Sequence, residues 1–133
     1  MIGYTTVGTK NLVNAKEFYK PLFEVMGMPV RYEDEEVVSW GDESDDNAPR
    51  FFVCYPFDDG SATAGNGSMT AFRVESATKV NQLHALAIKA GASDEGSPGF
   101  RPERYGELFY VAYVRDLDGN KLAFACYDGK ANP

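Results

Sequence analysis

The sequence predicts an α+β fold in which one chain forms two βαβββ modules, with curled mixed sheets around a cleft. Three observations lead to this prediction. Patterns typical of a strand, a helix and three strands occur in that order twice within 133 residues. A small, polar, glycine-rich stretch, DDGSATAGNG at Asp58–Gly67, separates the two runs. The halves also align: Tyr4 and Met69 are 69 − 4 = 65 residues apart, as are the helix N-caps Asn11 and Ser76.

A second alignment lies farther along the chain. Val53-Cys54-Tyr55 matches Ala125-Cys126-Tyr127 at an offset of 126 − 54 = 72, and a longer loop in the second half accounts for the larger value. An internal duplication explains both offsets with one event. We therefore expect a single domain over residues 1–133, with module one at 1–57, a linker at 58–66 and module two at 67–128.

The first half opens with a predicted strand over Gly3–Thr9, where small, β-branched and aromatic residues alternate. Asn11 is a good N-cap for a helix that ends at Gly27, and apolar residues at i, i+3, i+4 spacing mark its packing face. Pro21 lies within that stripe and should remove a hydrogen bond and kink the helix. Three strands are predicted next, around Val30–Glu33, Glu36–Trp40 and Arg50–Tyr55.

The second half repeats this order. Ser68–Val74 is predicted as a strand, and Ser76 caps a helix that ends at Gly91 and carries His84 on its packing stripe. A short strand near Ala92–Glu95 leads into a Pro/Gly-rich loop, SPGFRPERYGE. The last two predicted strands are joined by a hairpin turn that contains an Asp-Gly pair, and they span Leu108–Arg115 and Lys121–Tyr127.

Composition excludes several classes of protein. The chain has 13 basic and 20 acidic residues, a net charge of −7, which would repel nucleic-acid phosphates. No apolar run is long enough to span a bilayer and no signal-peptide pattern is present, so we expect a cytoplasmic protein without membrane association. Cys54 and Cys126 are predicted to be reduced and structural.

Only one histidine, His84, is present, so a metal site with two or three histidines cannot be built within one chain. Its place on the packing stripe favours a hydrogen-bonded structural role over that of a catalytic base.

Several motifs resemble the vicinal oxygen chelate superfamily, which includes glyoxalase I, bleomycin-resistance proteins, fosfomycin-resistance proteins and extradiol dioxygenases. The resemblance covers nearly the whole chain and is strongest at the RDLDGN turn before the final strand. The other matching pieces are GYTTVGTKNLVNAKEFYKPLFEVMG, GNGSMTAF, LHALAIKAGA and YVAYVRDLDGNKLAFAC. It implies the glyoxalase fold, a cleft that holds a small molecule, and a homodimer.

The resemblance also implies where metal ligands would lie, on the first and last strand of each module. The corresponding positions here are Tyr4, Phe51, Met69 and Ala123. None of these is a usual ligand of a divalent catalytic metal, and the neighbouring registers supply no carboxylate or imidazole. We therefore expect neither a metal nor another cofactor.

The same four positions form the predicted ligand pocket, apolar and partly aromatic; the alternative is that they fill the core. Arg73 and Lys121 share strand faces with Met69 and Ala123, so two cations would meet an anionic ligand unless these strand ends are merely solvated. Arg101, Arg104 and Tyr105 lie in the loop that borders the cleft in the superfamily; the alternative is an ordinary exposed loop.

We therefore predict a glyoxalase/bleomycin-resistance-like protein that lacks the family's metal ligands and binds a small molecule in the cleft. Two alternatives remain open at this point. The first is an enzyme of the group, lactoylglutathione-lyase-like or dioxygenase-like, whose chemistry would depend on Tyr4 or Arg73 without a metal. The second is a structural dimer whose cleft is closed.

Overall fold

A computed structural model of the chain describes residues 1–130, so the end of the predicted domain, 131–133, lies outside the described residues. The chain forms two compact units. The first comprises Met1–Asn66 with Asp118–Asn120, and the second comprises Gly67–Leu117 with the described residues from Lys121 onward. In the described part of the chain, no helix has the length and apolar character required to cross a bilayer.

The first unit contains one helix and a four-stranded mixed sheet. Its elements are β1 (Tyr4–Gly8), α1 (Leu12–Met26), β2 (Val30–Glu33), β3 (Val37–Gly41) and β4 (Arg50–Cys54). The strand order is β1-β4-β3-β2, with β1 parallel to β4 and the other pairs antiparallel.

Helix α1 begins and ends at the residues that the sequence predicts. The Asn11 side chain accepts a hydrogen bond from the Asn14 amide at 3.0 Å, and Gly27 ends the helix with φ 71°, a left-handed conformation that glycine adopts without strain. The helix continues through Pro21 to Met26. Its apolar stripe is buried, which accounts for its stability despite the proline.

The Asp118–Asn120 segment of the predicted hairpin turn is bound within the first unit. Asp118 accepts hydrogen bonds from the Thr9 hydroxyl at 2.6 Å and from the Lys10 amide at 2.8 Å. The Asn120 side-chain amide donates to the Gly8 carbonyl at 2.9 Å. The turn that resembles the superfamily most strongly therefore holds the end of β1 through its side chains.

The second unit repeats the sheet. Its elements are β5 (Thr70–Arg73), α2 (Ala77–Lys89), β6 (Ser93–Phe100), α3 (Pro102–Tyr105), β7 (Tyr110–Arg115) and β8 (Lys121–Cys126). The strand order is β5-β8-β7-β6, with β5 parallel to β8 and the other pairs antiparallel. The predicted α+β fold of two similar modules is confirmed.

The segment after α2 differs from its prediction. β6 continues to Phe100, where the sequence predicts a loop from Ser97, and α3 follows directly. β6 is an edge strand, so Pro98 need not donate to a ladder hydrogen bond. The pairing with β7 shifts register at Gly96 and again before Gly99, so bulges absorb the irregular sequence.

The hydrogen-bond registers also correct the second offset of the duplication. The last pairs of the two parallel ladders are Gly8 with Cys54 and Arg73 with Ala125. The amides that follow, those of Thr9 and Val74, donate to the carbonyls of Cys54 and Ala125. The offset between β4 and β8 is therefore 125 − 54 = 71, and not 72. The offset between β1 and β5 is 73 − 8 = 65, as the sequence predicts.

Candidate functional site

The sheet of the second unit has one face against α2 and one face turned away from it. On the α2 side, the Tyr110 hydroxyl donates to the Asn81 side chain at 2.6 Å. The pairings place Arg73 beside Ala125, Tyr113 beside Ala123 and Val111 beside Ala125, on the opposite side. We call this side, which carries Arg73, Val111, Tyr113, Lys121, Ala123 and Ala125, the far face.

Small buried residues form the floor of the far face. Val111, Ala123 and Ala125 are each at most 2% exposed and form one apolar cluster. Partly buried Phe109 and Tyr113 pack against this cluster. Because the floor side chains are short, the aromatic rings around them provide most of the surface that a ligand can contact.

Three rings form a row beside this floor. Tyr105 lies 5.1 Å from Phe109 between ring centroids, and Phe109 lies 5.9 Å from Tyr127 at an interplanar angle of 29°. The row borders a groove of about 490 Å³, which is within the size range of small-molecule sites. The groove is lined by Tyr105, Gly106, Glu107, Leu108, Phe109 and Tyr127.

Backbone hydrogen bonds hold the segment that supplies these rings. The Arg101 amide donates to the Phe109 carbonyl at 3.2 Å, and the Tyr105 amide donates to the Arg101 carbonyl at 3.0 Å. The Gly129 amide donates to the Leu108 carbonyl at 2.7 Å. The groove residues are therefore fixed by main-chain contacts within the second unit.

Cations lie over two tyrosine rings of the far face. The Arg73 guanidinium carbon is 5.4 Å from the ring centre of Tyr127. The Lys121 ammonium and the Arg101 guanidinium lie 5.4 Å and 6.0 Å from the ring centre of Tyr113. Burial raises the pKa of Tyr113, with a smaller contribution from Tyr105, and the Arg101 charge opposes the shift. Tyr113 is therefore a neutral phenol at physiological pH.

Four of the seven residues predicted to form the pocket lie in this region. Arg73 and Ala123 are on the far face, Arg101 lies over Tyr113, and Tyr105 borders the groove. Met69 directly precedes β5 and is 49% exposed.

Sequence reasoning missed three rings of this region: Phe109, Tyr113 and Tyr127. Strand alternation would have found Tyr113, because it pairs with Ala123.

The other two predicted residues lie in the first unit, on opposite faces of its sheet. Tyr4 is exposed, and its ring is 5.3 Å from that of Phe52. Phe51 is 4% exposed and packs instead against α1, at 5.2 Å from Tyr19 and 5.7 Å from Phe23. Phe51, predicted to line the ligand pocket with Tyr4, therefore packs against α1 instead. With the offset of 71, Phe52 corresponds to Ala123, and a slip of one residue reverses the face.

The residues at the positions where the resemblance implies metal ligands do not fit a divalent catalytic metal. A phenol, a phenyl ring, a thioether and a methyl group provide no carboxylate or imidazole, whether Phe51 or Phe52 is counted. Elsewhere in the described residues, no group of three or more His, Cys, Asp or Glu side chains is placed to hold a metal ion.

His84 pairs with one carboxylate. Its Nε2 lies 3.0 Å from Asp94 Oδ1, and this hydrogen bond, with one from the Gly96 amide, lowers the pKa of Asp94. The pair connects α2 to β6, which agrees with the structural role expected for His84.

Cys54 and Cys126 are free thiols, and burial raises the pKa of Cys54.

Comparison with solved structures finds similar chains. A glyoxalase/bleomycin resistance protein from Albidiferax ferrireducens T118 is 30% identical, with a TM-score of 0.83 over 95% of this chain and 98% of that chain. A glyoxalase/bleomycin resistance protein/dioxygenase family enzyme from Burkholderia phytofirmans PsJN is 19% identical, with a TM-score of 0.70 over 94% and 97%. A lactoylglutathione lyase from Agrobacterium tumefaciens is 16% identical, with a TM-score of 0.63 over 94% and 92%.

At 19% and 16% identity, the last two structures show only that they have the same fold as this chain. No family model matches the chain, and no curated protein matches it.

Proposed function

Because the chain belongs to the glyoxalase/bleomycin resistance protein family, within the vicinal oxygen chelate superfamily, we propose that it binds a small molecule with an apolar or aromatic part. The binding site is the groove beside the far face of the second sheet. Tyr105, Phe109 and Tyr127 contact the ligand, and the buried floor around Ala123 supports the Phe109 ring from below.

The observation that supports this proposal most is the row of three rings along a groove. Tyr127 is 61% exposed and Tyr105 is 53% exposed. Stacked rings gain stability when they are buried, so this exposure forgoes stability. Exposed aromatic surface next to a groove is typical of a ligand-binding site and not of a surface without a binding role. Binding of this kind requires no metal.

A neutral fluorescent arene, N-phenyl-1-naphthylamine, tests the proposal. We expect saturable binding to the native protein and about 2- to 10-fold weaker binding to Tyr127→Ser, since a stacked ring contributes about 0.5–1.5 kcal/mol beyond its buried area. The control is Tyr32→Ser, which removes a comparably exposed tyrosine from the first unit. Absence of binding to the native protein, or equal affinity for Tyr127→Ser, would contradict the proposal.

We also propose that the protein is a homodimer, as the superfamily resemblance implies and as closed symmetric assembly favours. Light scattering at micromolar concentration tests this, and a monomeric mass would contradict it.

A further inference from the structure

Among the described residues, three cations of the far-face region have no carboxylate within ion-pair distance. Arg73, Arg101 and Lys121 take part in none of the ion pairs found among the described residues. The chain as a whole has 20 acidic and 13 basic residues, so acidic partners are abundant elsewhere. These three cations therefore form a local cluster of positive charge in a chain whose net charge is −7.

Two carboxylates of the second unit near this region have other cationic partners. Glu107, which borders the groove, lies 4.0 Å from Lys130, and Glu95 pairs with Arg115. Arg101 uses its guanidinium on the main chain, where it donates to the carbonyls of Ser97 at 2.9 Å and Phe100 at 3.2 Å. Within residues 1–130, Arg73 makes no such hydrogen bond, so its guanidinium has donors to offer to an acid group.

Two cations lie over rings of the aromatic row: Arg73 is 5.4 Å from the ring centre of Tyr127, and Arg104 is 6.0 Å from that of Tyr105. The Arg73 guanidinium lies over Tyr127, which itself borders the groove and stacks with Phe109. Arg73 does not line the groove itself, but a ligand ring that contacts Tyr127 there lies only one ring away from its guanidinium. The planar guanidinium suits a carboxylate or sulfonate, because its donors match two acceptor oxygens at once.

We propose that the ligand is a planar aromatic acid, with its ring in the groove of Tyr105, Phe109 and Tyr127 and its acid group on Arg73. Lys121 and Arg101 over Tyr113 add positive potential to the same face. This inference rests on the proposed function, because it specifies the chemical class of the molecule bound at that site.

A matched pair of probes tests the inference. 1-Anilinonaphthalene-8-sulfonate carries the ring system of N-phenyl-1-naphthylamine together with an acid group. At low salt we expect the native protein to bind the sulfonate roughly tenfold more tightly than the neutral arene. Raising the salt to about 0.2 M should reduce this preference, since exposed charges are screened over a Debye length of about 10 Å or less.

The decisive variant is Arg73→Gln. It should weaken binding of the sulfonate roughly tenfold and change affinity for the neutral arene less than twofold. Arg73→Lys, which keeps the charge, should retain part of the preference. Lys89→Gln removes the same charge from an exposed site at the end of α2 and should change neither affinity. Thermal unfolding midpoints establish that each variant is folded.

The outcomes separate the two proposals. If the neutral arene binds at the groove but Arg73→Gln lowers both affinities equally, or neither, the aromatic-acid inference is overturned and the proposed function stands. If the neutral arene does not bind to the native protein, the proposed function is overturned, and with it the inference that rests on it.

Discussion

Ala123 is 1% exposed and packs with Val111 and Ala125, against the rings of Phe109 and Tyr113. The sequence leaves two outcomes open for an Ala123→Trp substitution: a void that accepts the ring, or a packed core that does not. The surroundings of Ala123 in the structure decide between them, since no indole fits under those rings without displacing them.

We therefore expect Ala123→Trp to lower the free energy of unfolding by about 1–3 kcal/mol, through overpacking. Urea unfolding measures the change, and Phe52→Trp, at the corresponding position of the first unit where the residue is already large, serves as the comparison. An unchanged midpoint for Ala123→Trp, together with lost binding of the arene, would show instead that Ala123 borders an open void.

Position 129 leaves no room for a side chain, which explains why a glycine is found there. A methyl group there would lie 2.7 Å from Tyr110 Cβ, 2.8 Å from Phe100 Cε1 and 3.1 Å from the Leu108 carbonyl oxygen. Because the Gly129 amide also donates to that carbonyl, the segment that follows Tyr127 depends on this contact.

Gly129→Ala should therefore destabilise the protein by about 1–3 kcal/mol and weaken arene binding, since the groove is distorted. Gly3→Ala is the control, because nothing lies within 4 Å of its added methyl group, and it should change stability by less than about 0.5 kcal/mol. Chemical unfolding compares the two, and equal effects would mean that the Gly129 contact has no structural role.

At the scale of the elements, His84 on α2 and Asp94 on β6 connect a helix to an edge strand. The hydrogen bond from His84 lowers the pKa of Asp94 from its ordinary value of 3.8. A carboxyl whose pKa is lower in the folded state stabilises the fold at higher pH, and this contribution disappears as pH falls through the folded-state pKa.

We therefore expect Asp94→Asn to be less stable than the native protein near pH 6, with a difference that narrows as pH falls from about 5 to about 2. Unfolding midpoints measured across this range provide the test. Glu43→Gln, which removes an exposed carboxylate from the β3–β4 connection, is the control. A constant difference for Asp94→Asn at all pH values would contradict a contribution from its ionised form.

The order of the strands and the two long helices, the starts of both helices and the end of α1 were predictable, because they depend on local chemistry. The short helix α3 was not predicted, and α2 ends at Lys89, two residues before the predicted Gly91. Asn11, Ser76 and Gly27 act at the positions where the sequence predicts caps. The end of β6 was not predictable, because the residues from Ser97 to Phe100 have turn-like composition and become a strand only by pairing with β7. Face assignments on β4 required the register, which a matching tripeptide placed one residue too far.

At the scale of the whole molecule, duplication preserves the ladders while the side chains diverge. Phe52 and Ala123 occupy equivalent positions in the two sheets. In the first unit Phe52 contacts the ring of Tyr4, whereas in the second unit the small Ala123 is surrounded by other rings. The pattern of apolar and polar residues encodes the shared backbone, so the fold was predictable from sequence. The row of Tyr105, Phe109 and Tyr127 was not, because it joins residues from α3, from the segment before β7 and from beyond β8.

The most direct test of this account is to map the binding site of N-phenyl-1-naphthylamine by amide chemical-shift changes in the intact, isotope-labelled protein. We expect the largest changes at residues 105–109, at Ala125 and at Tyr127, with small changes across the first unit. Largest changes around Trp40, in the groove between Lys16 and Glu33, would instead place the site in the first unit and contradict the central claim.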